Sequence, residues 1–128
     1  MTDASLAARE RAALADLLDE VGPDAPTCCA GWTAAHVAAH LVVRDRRPDA
    51  MAGFGLERWS HRVEDRARER TPYADLVARV RSGPPVRLPL VERLLNTAEF
   101  VLHHEDVRRA RPGWGPRALT PGDQDVVW

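Results

Sequence analysis

The chain contains no lysine and no isoleucine, and its only two cysteines, Cys28 and Cys29, are adjacent. Neighbouring cysteines rarely bridge one another, so a disulfide-stapled scaffold is excluded. No apolar run approaches the roughly 20 residues that a membrane helix needs. The N-terminal segment is charged from its third residue onward, unlike a secretory signal. These absences favour a cytoplasmic protein that has no membrane partner.

Charge and motif content exclude further classes of protein. The 18 basic residues, all of them arginine, nearly balance 19 acidic residues, and the net charge of −1 offers no general attraction to nucleic acid or to an anionic membrane. The pair His104-Glu105 begins like a zinc-protease motif, but Arg108 stands where the second histidine is required. Glycine-rich phosphate loops, Cys-x-x-Cys pairs and the G-x-S-x-G elbow of hydrolases are absent.

Helical patterns dominate, and nothing reads as a strand. Leucines recur at helical spacing in the first segment until Gly22 stops it, Thr33 precedes the second helix as an N-cap, and Pro72 follows Thr71 as the first residue of another helix. The predicted helices span 6–21, 34–47, 56–70, 72–82 and about 89–110, and the charged segment 56–70 is expected to be exposed. This pattern predicts an all-α helical bundle.

The length of 128 residues suits one domain with a single core. The bundle is expected to occupy residues 1–112. Residues 113–128 are expected to be a linker and, after the cap residue Thr120, the start of a truncated C-terminal helix.

The last long helix carries two parallel stripes on a wheel of about 100° per residue. The apolar stripe, expected to face the core, consists of Val91, Leu94, Leu95, Ala98, Val101 and Leu102. The polar stripe beside it consists of Glu92, Asn96, Glu99, His103 and Asp106. Because Glu99 and His103 are four residues apart, their side chains lie one turn apart on the same face. His104 is about 140° from Glu99 and is expected to be a bystander on another face.

Glu99 and His103 can together bind one divalent metal ion, because carboxylate oxygen and imidazole nitrogen suit zinc or a similar ion. A third ligand must come from another helix. The apolar second helix offers His36 and His40, and a buried histidine needs a polar partner. His40 lies deeper in the apolar run and is the better third ligand. Asp106, three residues after His103, can hold an imidazole N–H of the site.

The same residues have ordinary structural interpretations. A Glu–His pair on a helix flank is usually solvated or makes a simple helix contact. His61 lies in a charged stretch and is expected at the surface, and Cys28 and Cys29 are either inert loop residues or a reactive thiol. The arginines of Arg108–Arg111 either form a solvated helix end favoured by the helix dipole or bind an anion. The tryptophans are expected to pack rather than to recognise a ligand.

Three blocks of the sequence resemble a known family. They are GWTAAHVAAHLVVRDRRPDA, LVARVRSGPP and LNTAEFVLHHEDVRRARPGW, and they run through nearly the whole chain in order. The chain resembles the actinobacterial metal-binding proteins of the DinB-like superfamily, which are grouped with the N-terminal metal-binding domain of the mycothiol-dependent maleylpyruvate isomerases. The resemblance implies an up-down-down-up four-helix bundle with one divalent metal ion, usually zinc. The His, Glu and His ligands of that family fall on His40, Glu99 and His103, with Asp106 in a supporting position.

The chain also departs from that family. His36 stands where such sequences more often carry Asp, which would help to cap the helix through Thr33, so His36 is expected to be a local substitution rather than a ligand. The family members continue past Trp128, and in the isomerases the later domain contributes to binding the thiol cofactor and the substrate. Catalysis by this chain alone is therefore left open.

Two hypotheses of function follow. In the first, the protein is a mycothiol-dependent isomerase or transferase, and a three-ligand metal with an open fourth position stabilises the thiolate that attacks an electrophilic small molecule. In the second, it is a non-catalytic structural or interaction module, and a further ligand such as His36, His104 or Cys29 closes the metal site. A plain helical bundle with a polar pocket is the third interpretation.

Overall fold

The computed structural model describes residues 5–46, 57–84 and 97–127, and over these residues it contains six α-helices and no β-strand. In chain order the helices are α1 (Leu6–Val21), α2 (Ala34–Arg46), α3 (Glu57–Arg70), α4 (Tyr73–Ser82), α5 (Thr97–Arg108) and α6 (Pro121–Val127). The all-α class is thus confirmed, whereas the up-down-down-up arrangement stays a prediction. Residues 85–96, which include the first part of the predicted long helix, lie outside the described residues. None of the described helices is both long and apolar enough to cross a membrane.

Local side-chain chemistry sets several helix ends. Ser5 Oγ accepts a hydrogen bond from the Ala8 N–H at the start of α1, and Thr120 Oγ1 accepts one from the Asp123 N–H at the start of α6, both at 3.1 Å. Gly22 follows α1 with a φ of 82°, a conformation that residues with a Cβ rarely adopt. The predictions that Thr120 caps a helix and that Gly22 ends one are confirmed.

The core lies between α1, α2, α4 and α5. α1 packs against α5 and α4, and α2 packs against α3 and α4. The large apolar side chains that are almost completely buried are Leu14, Leu18, Val37, Leu41, Val43, Leu76, Val77, Val80, Phe100 and Val107. Burying one such side chain stabilises the fold by about 1.5–3 kcal/mol. This packing holds the polar edges of α2 and α5 on the same side of the protein.

A buried ion pair runs through this core. Arg11 Nη1 donates to Asp45 Oδ2 at 2.7 Å and to the carbonyl oxygen of Val80 at 3.0 Å. The guanidinium carbon of Arg11 also lies 4.1 Å from the centre of the Phe100 ring. One arginine therefore contacts α2, α4 and α5 from its place on α1, which fixes the positions of the four helices relative to one another.

α5 is rotated relative to the helical-wheel interpretation. Leu102 and Ala98, which the wheel assigns to the core, are exposed, and Leu102 is 62% exposed. The buried face instead consists of Thr97, Phe100, Val101, His104 and Val107. The core assignment was thus wrong for two residues and correct for Val101. The other members of the predicted stripe, Val91, Leu94 and Leu95, lie outside the described residues.

His104 is buried and is not a bystander. Its Nδ1 lies 2.7 Å from Glu10 Oε2 on α1, and the Arg117 guanidinium donates to both oxygens of the same carboxylate. Burial opposes ionisation of Glu10, but the hydrogen bonds from His104 and Arg117 outweigh it and lower the pKa of Glu10. Arg117 also donates to Glu105. This polar cluster fastens the segment after α5 to both α1 and α5.

Candidate metal site

α2 presents His40 at the edge of its buried face, where the imidazole is 14% exposed. Its two ring nitrogens face two different helices. Nδ1 lies 2.7 Å from Oε1 of Glu64 on α3, and Nε2 lies 2.9 Å from Oε1 of Glu99 on α5. The buried histidine thus has a carboxylate partner on each side, as a buried polar ring requires.

Glu99 and His103 come together because they are one helical turn apart on α5. His103 Nε2 lies 3.1 Å from the same Glu99 oxygen that contacts His40. The two side chains are 25% and 13% exposed, so the pair lies at the boundary between the core and solvent. Glu99 Oε1 therefore stands between the Nε2 atoms of both histidines.

The donor atoms of His40, Glu99 and His103 all lie within 4.8 Å of one another. They form the one group of three or more potential metal ligands found in residues 5–46, 57–84 and 97–127. Two imidazole nitrogens and one carboxylate oxygen converging from two helices are a donor set that zinc and similar divalent ions accept. The three residues selected from spacing and from family resemblance are thus neighbours in space.

Electrostatics favour charged side chains within this cluster. Burial lowers the pKa of His40, but the hydrogen bonds to Glu64 and Glu99 outweigh it and raise that pKa to about 9. Hydrogen bonds from His103 and His40 hold the pKa of Glu99 well below its usual range. Without a metal ion, the negative charge of the Glu99 carboxylate is therefore balanced by the protonated imidazole of His40.

Trp32 forms a wall beside the two histidines. Its ring centre lies 5.3 Å from that of His40 and 6.2 Å from that of His103, and its plane is within 11° of the His103 plane. The indole thereby restricts the orientation of both imidazoles. The prediction that tryptophans serve packing holds for Trp32, which also lies next to the candidate ligands.

Glu64 is the residue of this site that sequence reasoning missed. The segment around it reads as an exposed charged helix, yet Glu64 is only 8% exposed and contacts His40. The available signal is weak: Val63 and Ala67 are four residues apart and mark an inner face of α3 that includes Glu64. The expectation that His61 lies at the surface is confirmed.

Asp106 lies on the other side of His103 from Glu99. Its Oδ2 is 3.3 Å from His103 Nδ1, but the geometry is not that of a hydrogen bond, and Nδ1 has no hydrogen-bond partner within the described part of the chain. The backbone carbonyl of Asp106 accepts the N–H of Cys28 at 2.9 Å. The supporting role predicted for the Asp106 carboxylate therefore stays a prediction.

The other histidine of α2 and the buried histidine of α5 have separate tasks. His36 Nδ1 accepts the backbone N–H of Thr33 at 3.1 Å, so His36 caps the start of α2 where an acid would otherwise do so. His104 pairs with Glu10, as described above. Cys28 is exposed and Cys29 half-buried, both as free thiols. Of the residues suggested as closing ligands, none joins the three-residue group.

Comparisons of the chain with family models, curated proteins and solved structures found no match. The case for this site therefore depends on its own geometry.

Proposed function

We propose that this chain binds one divalent metal ion, zinc by its donor chemistry, through His40, Glu99 and His103. The observation that carries the proposal is the convergence of two imidazole nitrogens and a carboxylate oxygen from α2 and α5. A zinc ion held by three such protein ligands would still be able to bind a small molecule. No fourth donor joins the group within the described residues, which favours an open site over a closed one.

The proposed activity is that of a mycothiol-dependent transferase or isomerase of the DinB-like superfamily. When bound, a divalent ion would lower the pKa of a coordinated thiol and so make a thiolate available near neutral pH. The proposed partners are a low-molecular-weight thiol and an electrophilic small molecule, and a reaction of this kind suits the reducing cytoplasm. Support comes from the convergence of His40, Glu99 and His103 and from the three sequence blocks that carry the resemblance.

The side chains around the ligands would each have a defined task. Glu64 holds His40 Nδ1, which leaves Nε2 directed at the site and fixes the ring orientation. Trp32 shields the imidazoles from solvent on one side. A cavity of about 170 Å³ adjoins Trp32 and Glu64 and is also lined by His61 and Arg68. It is smaller than a typical cofactor pocket, so it suits only part of a ligand.

The alternative function is a non-catalytic module in which the metal links helices. This reading is supported by the contact between His40 and Glu99, which connects α2 directly to α5. Metal binding would then contribute directly to folding free energy. The two functions differ in whether a thiol gains access to the bound metal.

Metal content is the first test. The purified protein is expected to bind one equivalent of zinc by elemental analysis after dialysis, and Glu99→Ala is expected to lose it. His61→Ala is the matched control, because His61 is an exposed histidine outside the cluster. Zinc binding that is equal in wild type and Glu99→Ala would remove Glu99 from the site, and no zinc binding by wild type would end the proposal.

Thiol binding separates the two functions. Mycothiol titrated into the zinc-loaded protein is expected to bind with one-to-one stoichiometry and to change the fluorescence of Trp32, with Trp32→Phe as the control for the other tryptophans. Metal-free protein is expected to give no response. Zinc binding that raises the melting temperature without any thiol response would favour the structural module.

A further inference from the structure

A second concave surface lies between α2, α3 and α4. It has a volume of about 410 Å³, within the usual range for small-molecule sites. Its apolar floor consists of Val42, Val43, Val63 and Ala67, and its rim consists of Arg46, Arg62, Arg66, Arg70 and Arg79, with Thr71 beside them. We call this surface the arginine groove. None of the three proposed metal ligands lines it, so its function is independent of the metal site.

Positive charge is concentrated on the rim of the arginine groove, and no described residue pairs with its exposed arginines through a carboxylate. The described residues that line the arginine groove include five arginines and no acidic residue, although the whole chain has a net charge of −1. Arg62, Arg66 and Arg70 recur every fourth residue along one face of α3. These three and Arg79 make no ion pair in the part of the chain that the structure describes, and Arg46 donates only to a carbonyl oxygen, that of Gly83.

Exposed arginines elsewhere behave differently. Arg81 lies 2.7 Å from Asp16 and 3.2 Å from Asp19, and Arg111 lies 3.1 Å from Glu20. The lack of ion pairs at the described rim arginines is therefore not a general feature of the exposed arginines of this protein. Unpaired guanidinium groups around a concave site favour an anion with carboxylate or phosphate oxygens, which arginine binds bidentately.

The apolar floor of the arginine groove indicates which chemical group the ligand has besides its anionic head. Val42 and Val43 are 4% and 1% exposed, so the base of the groove is continuous with the protein core. None of the described side chains that line the groove is aromatic, so these side chains offer the bases of a nucleic acid no surface on which to stack. A concave floor also suits a single molecule better than the flat surface of a membrane. The ligand should combine an apolar body with an anionic head.

The neighbouring segments of the chain are poor candidates for this role. Residues 47–56 contain one arginine and one acid, and residues 85–96 contain two arginines and one acid. Neither segment brings the excess negative charge that five arginines call for. Charge complementarity therefore favours a separate ligand.

We propose that the arginine groove binds a small amphiphilic anion, with an alkyl or acyl chain on the Val42, Val63 and Ala67 floor. Its phosphate or carboxylate head is held by Arg62, Arg66 and Arg70. The aliphatic stems of these arginines extend the apolar surface towards the chain, while the guanidinium groups remain near the rim.

Calorimetric titration of the full chain tests this site. Decyl phosphate, kept below its critical micelle concentration, is expected to bind at one site, and decanoate shows whether a carboxylate head suffices. Arg62→Gln combined with Arg66→Gln is expected to weaken binding of decyl phosphate by roughly tenfold or more, because charge-assisted hydrogen bonds are lost. The matched control combines Arg81→Gln with Arg111→Gln, which removes the same charge from paired arginines and is expected to leave affinity unchanged.

Further ligands define results that would overturn the proposal. If inorganic phosphate binds as tightly as decyl phosphate, the apolar floor does not contribute to binding. If the uncharged decyl maltoside binds as tightly as decyl phosphate, the arginines do not contribute. Anionic vesicles or single-stranded DNA that bind in an Arg62- and Arg66-dependent manner, when decyl phosphate does not, would also exclude a small amphiphile. Val63→Ser is expected to weaken decyl phosphate and to leave inorganic phosphate unaffected. Helical circular dichroism of each variant verifies folding.

Discussion

At the scale of single residues, Glu64 determines how His40 can serve a metal ion. Its carboxylate fixes Nδ1 of His40 and leaves Nε2 directed at Glu99. Groups that hold a ligating histidine in this way typically contribute 10–100-fold to metal affinity. Glu64→Gln is therefore expected to weaken zinc binding by about one order of magnitude, measured by competition with a chromophoric chelator.

The neighbouring acid provides the control for this prediction. Asp65 is 56% exposed, and among the described residues its carboxylate pairs with Arg68 alone, at 3.5 Å. Asp65→Asn changes the same charge on the same helix and should leave zinc affinity unchanged. If both variants weaken zinc binding to the same extent, Glu64 acts only through general electrostatics. If neither variant weakens it, Glu64 has no part in the site.

Residues of the site could be predicted from the sequence only where a local pattern, such as helical spacing or a polar residue in an apolar run, marks them. Glu99 and His103 share a helix face because of their spacing, and His40 is conspicuous as a polar residue in an apolar run. The prediction that His40 lies close to Glu99, 59 residues later in the chain, depended on the family resemblance together with that pattern. Glu64 could not be found in this way, because α3 is so rich in charge that one inward-facing acid does not stand out.

At the scale of helices, α5 shows why a helical wheel can assign the wrong face. Its apolar residues lie on several sides of the helix, so composition alone does not fix which side is buried. Phe100 and Val107 face the core, and His104 is buried beside them because Glu10 satisfies its ring nitrogen. The partner is 94 residues away in sequence, and no local pattern reveals it.

Paired truncations on α5 test this orientation. Phe100 is 1% exposed and contacts Arg11, so Phe100→Ala is expected to lower the free energy of unfolding by about 3–5 kcal/mol. Leu102 is 62% exposed, and Leu102→Ala should change that free energy by no more than about 0.5 kcal/mol. Urea denaturation measures both values. A large loss from Leu102→Ala would instead support the face that the wheel predicts.

At the scale of the whole molecule, the helices could be predicted and their arrangement could not. Caps, glycines and apolar spacing act over a few residues, which is why α1 and α4 begin and end close to their predicted bounds and α6 begins directly after its predicted cap. The contacts that orient the helices span the chain. Arg11 reaches Asp45 and Val80, and Arg117 reaches Glu10, across 34, 69 and 107 residues. Such pairs are specified by packing, which a local pattern does not encode.

The ionisation of the single tyrosine is expected to determine how the stability of the protein falls at alkaline pH. Tyr73 Oη donates to the Leu18 carbonyl at 2.6 Å, and burial, with the charge of Asp19, raises the pKa of Tyr73 to about 12. Tyrosine in an unfolded chain titrates near 10, so this contribution to stability is complete below about pH 10 and is lost as the pH rises through about 12.

The chain has no lysine to titrate in that window. Tyrosinate absorbance should therefore rise near pH 12 in native protein and near pH 10 in urea. Tyr73→Phe should remove this alkaline loss of stability, whereas a native midpoint near 10 would contradict the partly buried hydrogen bond of Tyr73.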